Sequence, residues 1–238
     1  MSRPNSNFWV IVPVLLVAVM AAACGSTGEE KTLLNKYFMA SKIADNMTLQ
    51  NIATVTFDPK TDGQMQSFSI VSVGEPKSVP LELKAHAAEL KVVVDEEKAF
   101  TERKKKYQDD NTEAIDRILK AEGKNQPVKG KDAEIKKEWD KFLEEQAVIS
   151  KKLSEARRHA NSGRGIVEIS VQDPRNPIDP TFYDGELVTK EVTVEGKVKP
   201  ETGDAVSKTI VFTLQQAILK VDGKDLVGRW VITGHKAQ

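Results

Sequence analysis

Two long seams of residues at alternating steps of three and four run through the middle of the chain. The first is Leu83, His86, Leu90, Val93, Glu97, Phe100, Lys104, Tyr107, Asn111, Ala114, Ile118 and Ala121; the second is Ile135, Trp139, Phe142, Gln146, Ile149, Leu153, Ala156 and Ala160. This is the heptad pattern by which a helix buries one narrow stripe against a neighbour. Composition agrees: Leu81 to Ala160 holds 19 basic and 18 acidic residues, with Gly and Pro confined to 123–130. The breakers in "EGKNQPVKGK", Glu122 to Lys131, let the chain reverse. The spacing therefore predicts an antiparallel coiled-coil hairpin over residues 81–160. Its second arm, about 29 residues from Asp132, would reach roughly 43 Å and project in part from a compact body. Glu97, Lys104, Asn111 and Gln146 interrupt the stripe, and such polar positions lower stability while fixing register.

Phe100, Tyr107, Trp139 and Phe142 have two readings: they zip the arms together, or an exposed aromatic anchors a partner protein. "ERKKKYQDD", Glu102 to Asp110, reads as a solvated face because acids flank its lysines.

On either side the period becomes two. "SFSIVSV" reads as a strand before the helices. After them "GIVEISV" puts Val167, Ile169 and Val171 on one face, and "ELVTKEVTVEGKV" alternates Val188, Val192, Val194 and Val198 against polar residues. "KTIVFTLQQAILK" places Ile210, Phe212, Leu214 and Ile218 together, and "LVGRWVITG" closes with Leu226, Trp230 and Ile232. Asp222-Gly223 in "VDGK" is a hairpin turn signal, since both residues tolerate positive φ. The last four strands are expected to form an antiparallel meander. At the other end "KTLLNKYFMASKIA" spaces Leu33, Leu34, Tyr37, Phe38, Ser41 and Ala44 as one helical face, with a second short helix near Leu49 to Ala53. Helices segregated from an antiparallel sheet make an α+β domain.

The first residues carry a different message. Arg3 precedes an apolar run from Phe8 to Ala23, and small residues Ala21, Ala22 and Ala23 lead to Cys24, the chain's only cysteine. At 1.5 Å per residue the run spans roughly 24 Å, short of a bilayer core of about 30 Å. A basic start, an apolar middle and a small-residue exit are the parts of a secretory signal. Ala21-Ala22-Ala23-Cys24 resembles a bacterial lipobox. That resemblance implies signal peptidase recognition of the three alanines and lipidation of Cys24, with Gly25 after it implying the outer membrane where the host has two. Several acyl chains make a stable anchor, each buried CH₂ contributing about 0.8 kcal/mol. The expected divisions are a signal peptide 1–23, a tether 24–30, the N-terminal part of the α+β domain 31–80, the hairpin 81–160 and the meander 161–238. Loss of 1–23 leaves 34 bases against 35 acids, and such neutrality argues against nucleic acid as a partner.

"NKYFMASKIADNMTL" is similar to the first helix of nuclear-transport-factor-2-like (cystatin-like) cone domains, and "KTIVFTLQQAILKVDGKDLVGRWVITG" resembles their final hairpin. The resemblance places Tyr37, Phe38, Ala40 and Asp45 on the helix, and Phe212, Leu214, Gly223, Trp230 and Ile232 on the sheet. It implies a curved antiparallel sheet packed on the N-terminal helix, with the hairpin inserted between the first strand and the meander. Some relatives use the cone's mouth as a ligand pocket or active site.

Chemistry is sparse. His86, His159 and His235 match no metal-ligand spacing, and neither a phosphate loop nor a Gly-x-Ser-x-Gly motif occurs. No catalytic residue, metal or cofactor is expected. One loop, "DPRNPIDPTFYDGE", crowds Asp173, Arg175, Asp179, Tyr183 and Asp184 among prolines. It reads as a stiff connection with local Asp turns, or as a rim presenting Arg175, Tyr183 and Asp184 to a ligand. The leading expectation is a noncatalytic lipoprotein, held in the membrane by its lipid and facing the periplasm or exterior, that binds an envelope protein. The alternatives are a small-ligand-binding or hydrolytic cone domain, a periplasmic adaptor and a hairpin chaperone.

Overall fold

The computed structural model describes residues 27–238. The signal peptide 1–23, its Ala21, Ala22 and Ala23, and Cys24 lie outside the described residues. The elements in chain order are α1 (Thr27–Lys42), α2 (Asn46–Gln50), β1 (Gln64–Val73), β2 (Lys77–Leu81), α3 (Leu83–Asp110), α4 (Thr112–Glu122), α5 (Lys131–Asn161), α6 (Arg164–Val171), a 3-10 turn (Pro180–Phe182), β3 (Gly185–Lys199), β4 (Val206–Val221), β5 (Lys224–Val227) and β6 (Val231–Ala237). The fold is α+β with a curved antiparallel sheet.

Long β3 and β4 form the centre, paired without interruption from Gly185↔Leu219 to Val198↔Val206. Each edge is shared by two shorter strands. β1 and β2 both pair β3, and β5 and β6 both pair β4. Register shifts at Gln66 and Val71 bend β1, as bulges do. Asp222 and Gly223 turn β4 into β5 with φ of 49° and 76°, the two-residue turn whose twist suits paired strands.

The main core lies between α1 and the sheet. Leu34, Tyr37 and Phe38, joined by Leu49, Ile52, Ala53 and Phe57, meet Val192, Val194, Val198, Ile210, Phe212, Leu214 and Ile232. Phe38 is the hub, with ring centroids 5.3 Å from Phe57, 5.2 Å from Phe68 and 5.5 Å from Phe212. α1 stops at Lys42, so Ala44 leaves the predicted face and sits exposed at φ 54°. Asp45 is not on α1 but caps α2: its carboxylate accepts the Thr48 N–H at 3.0 Å and the Thr48 hydroxyl at 2.6 Å. Those bonds hold its pKa below the usual carboxylate range.

Several sequence expectations need correction. Residues 27–30, read as tether, are the first turn of α1, and Glu30 is buried. An additional short strand, β2, follows β1, with Pro80 on the sheet edge where a missing N–H is tolerated. "GIVEISV" is not a strand but helix α6, whose Val167, Ser170 and Val171 form the buried stripe. Ser170 decides this: its hydroxyl donates to the Arg229 carbonyl at 2.7 Å and accepts the Ala217 N–H at 2.9 Å. Arg229 in turn caps the C-terminal end of α6, its guanidinium donating to the Ile169 carbonyl at 2.8 Å. The expected last strand is therefore split into β5 and β6, with Gly223 in the turn and Trp230 in the break. Gly228 sits there because a Cβ would lie 2.3 Å from Ser170 Oγ and 2.8 Å from its carbonyl.

In the helical middle, α3 and α4 lie along α5 in the opposite direction, as Glu96–Lys152, Arg103–Glu145 and Arg117–Asp132 show. The first arm is not continuous. Asn111 and Thr112 turn their side chains onto the carbonyls of Tyr107 and Gln108, a competition with the helix backbone that breaks it at Asn111. The root of these helices packs against the 3-10 turn and α6.

Candidate functional site

The sheet changes its buried side halfway along. On β4, Ile210, Phe212 and Leu214 face α1, whereas Ala217 and Leu219 face a second core of Leu83, Val167 and Val171 on the opposite side. The β3–β4 ladder carries no bulge, so period two alone sends these residues to opposite faces. Ile218, predicted to join Phe212, is only half-buried. Both sheet edges break near this level, between Val73 and Lys77 and between Val227 and Val231.

Lys190 stands at the crossover, opposite Leu214. It has the same phase as Val192 and Val194 and points toward α1. Its ammonium lies 2.5 Å from Glu30 Oε1, with side chains 6% and 0% exposed, and 3.8 Å from the centroid of Trp230. Glu30 lies in the first turn of α1, where the helix's partial positive charge favours a carboxylate. Glu30 Oε2 is buried without a hydrogen-bond partner among the described residues. A carboxylate, an ammonium and an indole face thus clamp the start of α1 to the middle strand. Sequence reading missed the cluster, although Lys190 occupying an apolar phase of β3 was a usable signal.

The residues of the candidate rim have separate partners. Arg175 is exposed, and its backbone N–H donates to Asp173 in a local turn. Tyr183 packs against the second core, and the Asp184 carboxylate pairs with Lys84 at 2.7 Å. Asp179 caps the 3-10 turn through Thr181. The loop's acids therefore serve turns and a surface pair.

The aromatics of the helical pair face inward. Phe100 and Trp139 are buried, Phe142 lies 5.1 Å from Tyr107, and the Tyr107 hydroxyl donates to the Ile135 carbonyl at 3.1 Å. They pack between the arms, with Tyr107 and Phe142 part-buried. Lys104 covers the Trp139 ring at 4.9 Å and donates to Gln146. Two of the seam's polar interruptions thus satisfy each other across the interface.

The three histidines occupy two settings. His86 and His159 stack at 5.4 Å across α3 and α5, near Glu82 and Glu89 respectively. His235 packs on Phe57 and Phe212 and lies 3.4 Å from Asp62. Among the described residues no group of three or more His, Cys, Asp or Glu side chains converges to hold a metal.

Tyr37 reports on the same core. Burial, reinforced by the Asp62 carboxylate, pushes its pKa well above the ordinary tyrosine range, against an opposing hydrogen bond from the Phe57 backbone. Above about pH 10 the unfolded chain loses a phenolic proton that the folded chain keeps, so stability falls as pH rises. Urea unfolding at stepped alkaline pH should show this decline, and Tyr37→Phe should make it shallower.

Compared with known proteins, the chain matches no family model, no curated protein and no solved structure.

Proposed function

We propose that this chain is a noncatalytic, lipid-anchored binding module of the bacterial envelope. Cys24 is acylated after cleavage behind Ala21-Ala22-Ala23, and a coiled-coil hairpin inserted in a cone-like α+β body engages another envelope protein. The observation that carries this reading is the position of α1. α1 is described from Thr27, three residues past Cys24, and its Glu30 is clamped to Lys190. Three residues span at most about 11 Å, so the body would be held close to its anchor. Among the described residues no helix is long and apolar enough to cross a membrane, and the acyl group would supply attachment.

The helical pair supports the binding role. α5 alone has 31 residues, or roughly 46 Å of helix, and its outer surface carries exposed Leu143 and Val148, with Val92 and Leu119 on the opposing arm. The interior under α1 is packed with rings, which favours surface recognition over a pocket in the cone. In vivo crosslinking tests the role. Removing one heptad from each arm, seven residues ending before Asn111 on α3 and the facing seven on α5, should abolish recovery of the partner while the shortened protein still accumulates. Undiminished recovery would contradict the hairpin as the docking element.

A further inference from the structure

We propose that the outer edge of β1 pairs antiparallel with the same strand of a second copy of this chain, joining two sheets across a two-fold axis near Ser69. The inference is independent of acylation at Cys24 and of the docking role of the helical pair.

Among the described residues β1 pairs only β3, so about half of its backbone N–H and C=O groups point away from the ladder. Edge strands are normally blunted by charge or proline. The other edge strands follow that rule, with Lys77 and Pro80 in β2, Lys224 and Asp225 in β5, and His235 and Lys236 in β6. β1 reads "QMQSFSIVSV", ten residues without a charge or a proline, in a chain that is 29% charged. In a two-fold contact the same patch meets itself, and like charges facing each other across strands are destabilising. An uncharged strand is therefore one that tolerates its own copy. Pairing with an extended segment of a different protein would impose no such restriction.

The side chains agree. Met65, Phe68, Ile70 and Val73 pack at the border of the main core, yet each stays half-buried at the end of the sheet. Beside them Met39 and Ile43 are 69% and 72% exposed. A groove between α1 and β1 is lined by Phe38, Met39, Met65 and Phe68, with Lys42 at the end of α1 as its one charged member. With Ser69 opposite its own copy, Phe68 of each chain faces Ile70 of the other, and the same apolar border is covered in both copies at once. On the other face Ser67, Ser69 and Ser72 are exposed and small, so they sit opposite one another without clash. Register shifts at Gln66 and Val71 bracket the regular run 67–70, and such irregularities confine added pairing to that stretch. Charged β5 and β6 blunt the opposite edge of the sheet, so assembly stops at a dimer.

Photocrosslinking of the full-length chain in cells tests the pairing. Benzoylphenylalanine replaces Val71, 60% exposed at the end of the regular run, or Val92 on α3, 67% exposed, as the comparison site. The expected result is an adduct of twice the chain's mass from position 71, in which mass spectrometry joins residue 71 to the segment 64–73 of a second copy, and no such adduct from position 92. Ser69→Glu, beside exposed Glu195 on β3, gathers acids of both copies around the axis and should lower the yield about tenfold. Producing Ser69→Glu together with Ser69→Lys should restore it, which a variant that merely failed to fold would not do. No adduct from position 71, or an adduct joining it to its own chain, to another segment of a second copy or to a different protein, would overturn the proposal. So would a yield that Ser69→Glu leaves unchanged, or a loss that the mixture does not recover.

Discussion

Replacing Glu30 by alanine should lower the unfolding free energy by about 3–5 kcal/mol, the usual cost of stranding one partner of a buried ion pair. The Lys190 ammonium would remain nearly shielded from water, with only the Trp230 face in place of its carboxylate. Lys190→Ala should be similarly severe, because Glu30 already has one oxygen unpartnered and would lose the contact to the other. Replacing both together, Glu30→Leu with Lys190→Met, removes two desolvated charges and should return stability to near or above its starting value. Urea unfolding of the mature chain with Cys24→Ser, followed by circular dichroism, distinguishes these outcomes. Equal loss in the single and double variants would show that side-chain volume, not charge pairing, holds α1 in place.

The second large effect is expected at Phe212. Its fully buried ring makes edge contacts with Tyr37 at 6.2 Å and Phe38 at 5.5 Å and lies against His235 at 5.9 Å. Truncation to alanine should cost about 3–5 kcal/mol, combining lost burial with the cavity left among rigid rings. Phe212→Leu should cost clearly less, since it refills much of the volume. The same urea titrations measure both, and an alanine variant no less stable than the leucine variant would mean that the core collapses around the gap.

These two sites differ in how openly the sequence displayed them. Phe212 belongs to an alternating run, and Ile210, Phe212, Leu214 and the Asp222-Gly223 turn report strand and hairpin through neighbours alone. Lys190 also sits in an alternating run, but its partner lies 160 residues earlier on α1, and no local pattern couples them. "GIVEISV" failed for a related reason. Val167, Ile169 and Val171 fit period two, while Val167, Ser170 and Val171 fit a helix equally well. Its β-branched residues tilt the local preference toward strand, and hydrogen bonds from Ser170 to Ala217 and Arg229 reverse it. The helical seams were legible because their period persists through many turns. The break at Asn111 was legible only as a polar interruption, since the capture of backbone carbonyls by Asn111 and Thr112 depends on side-chain geometry. The rim loop shows the limit for function: crowding in sequence did not foretell that Tyr183 packs on the second core and Asp184 pairs with Lys84.

Acylation of Cys24 carries the weight of the functional account, because partner docking in the envelope presupposes a body fastened near the start of α1. Metabolic labelling with an alkyne fatty acid, comparing the unaltered chain with Cys24→Ser, tests it most directly. The account predicts label on a processed protein in the membrane fraction, and none on the serine variant. A label that persists on Cys24→Ser, or an unlabelled chain that keeps residues 1–23 in the cytosol, would contradict it.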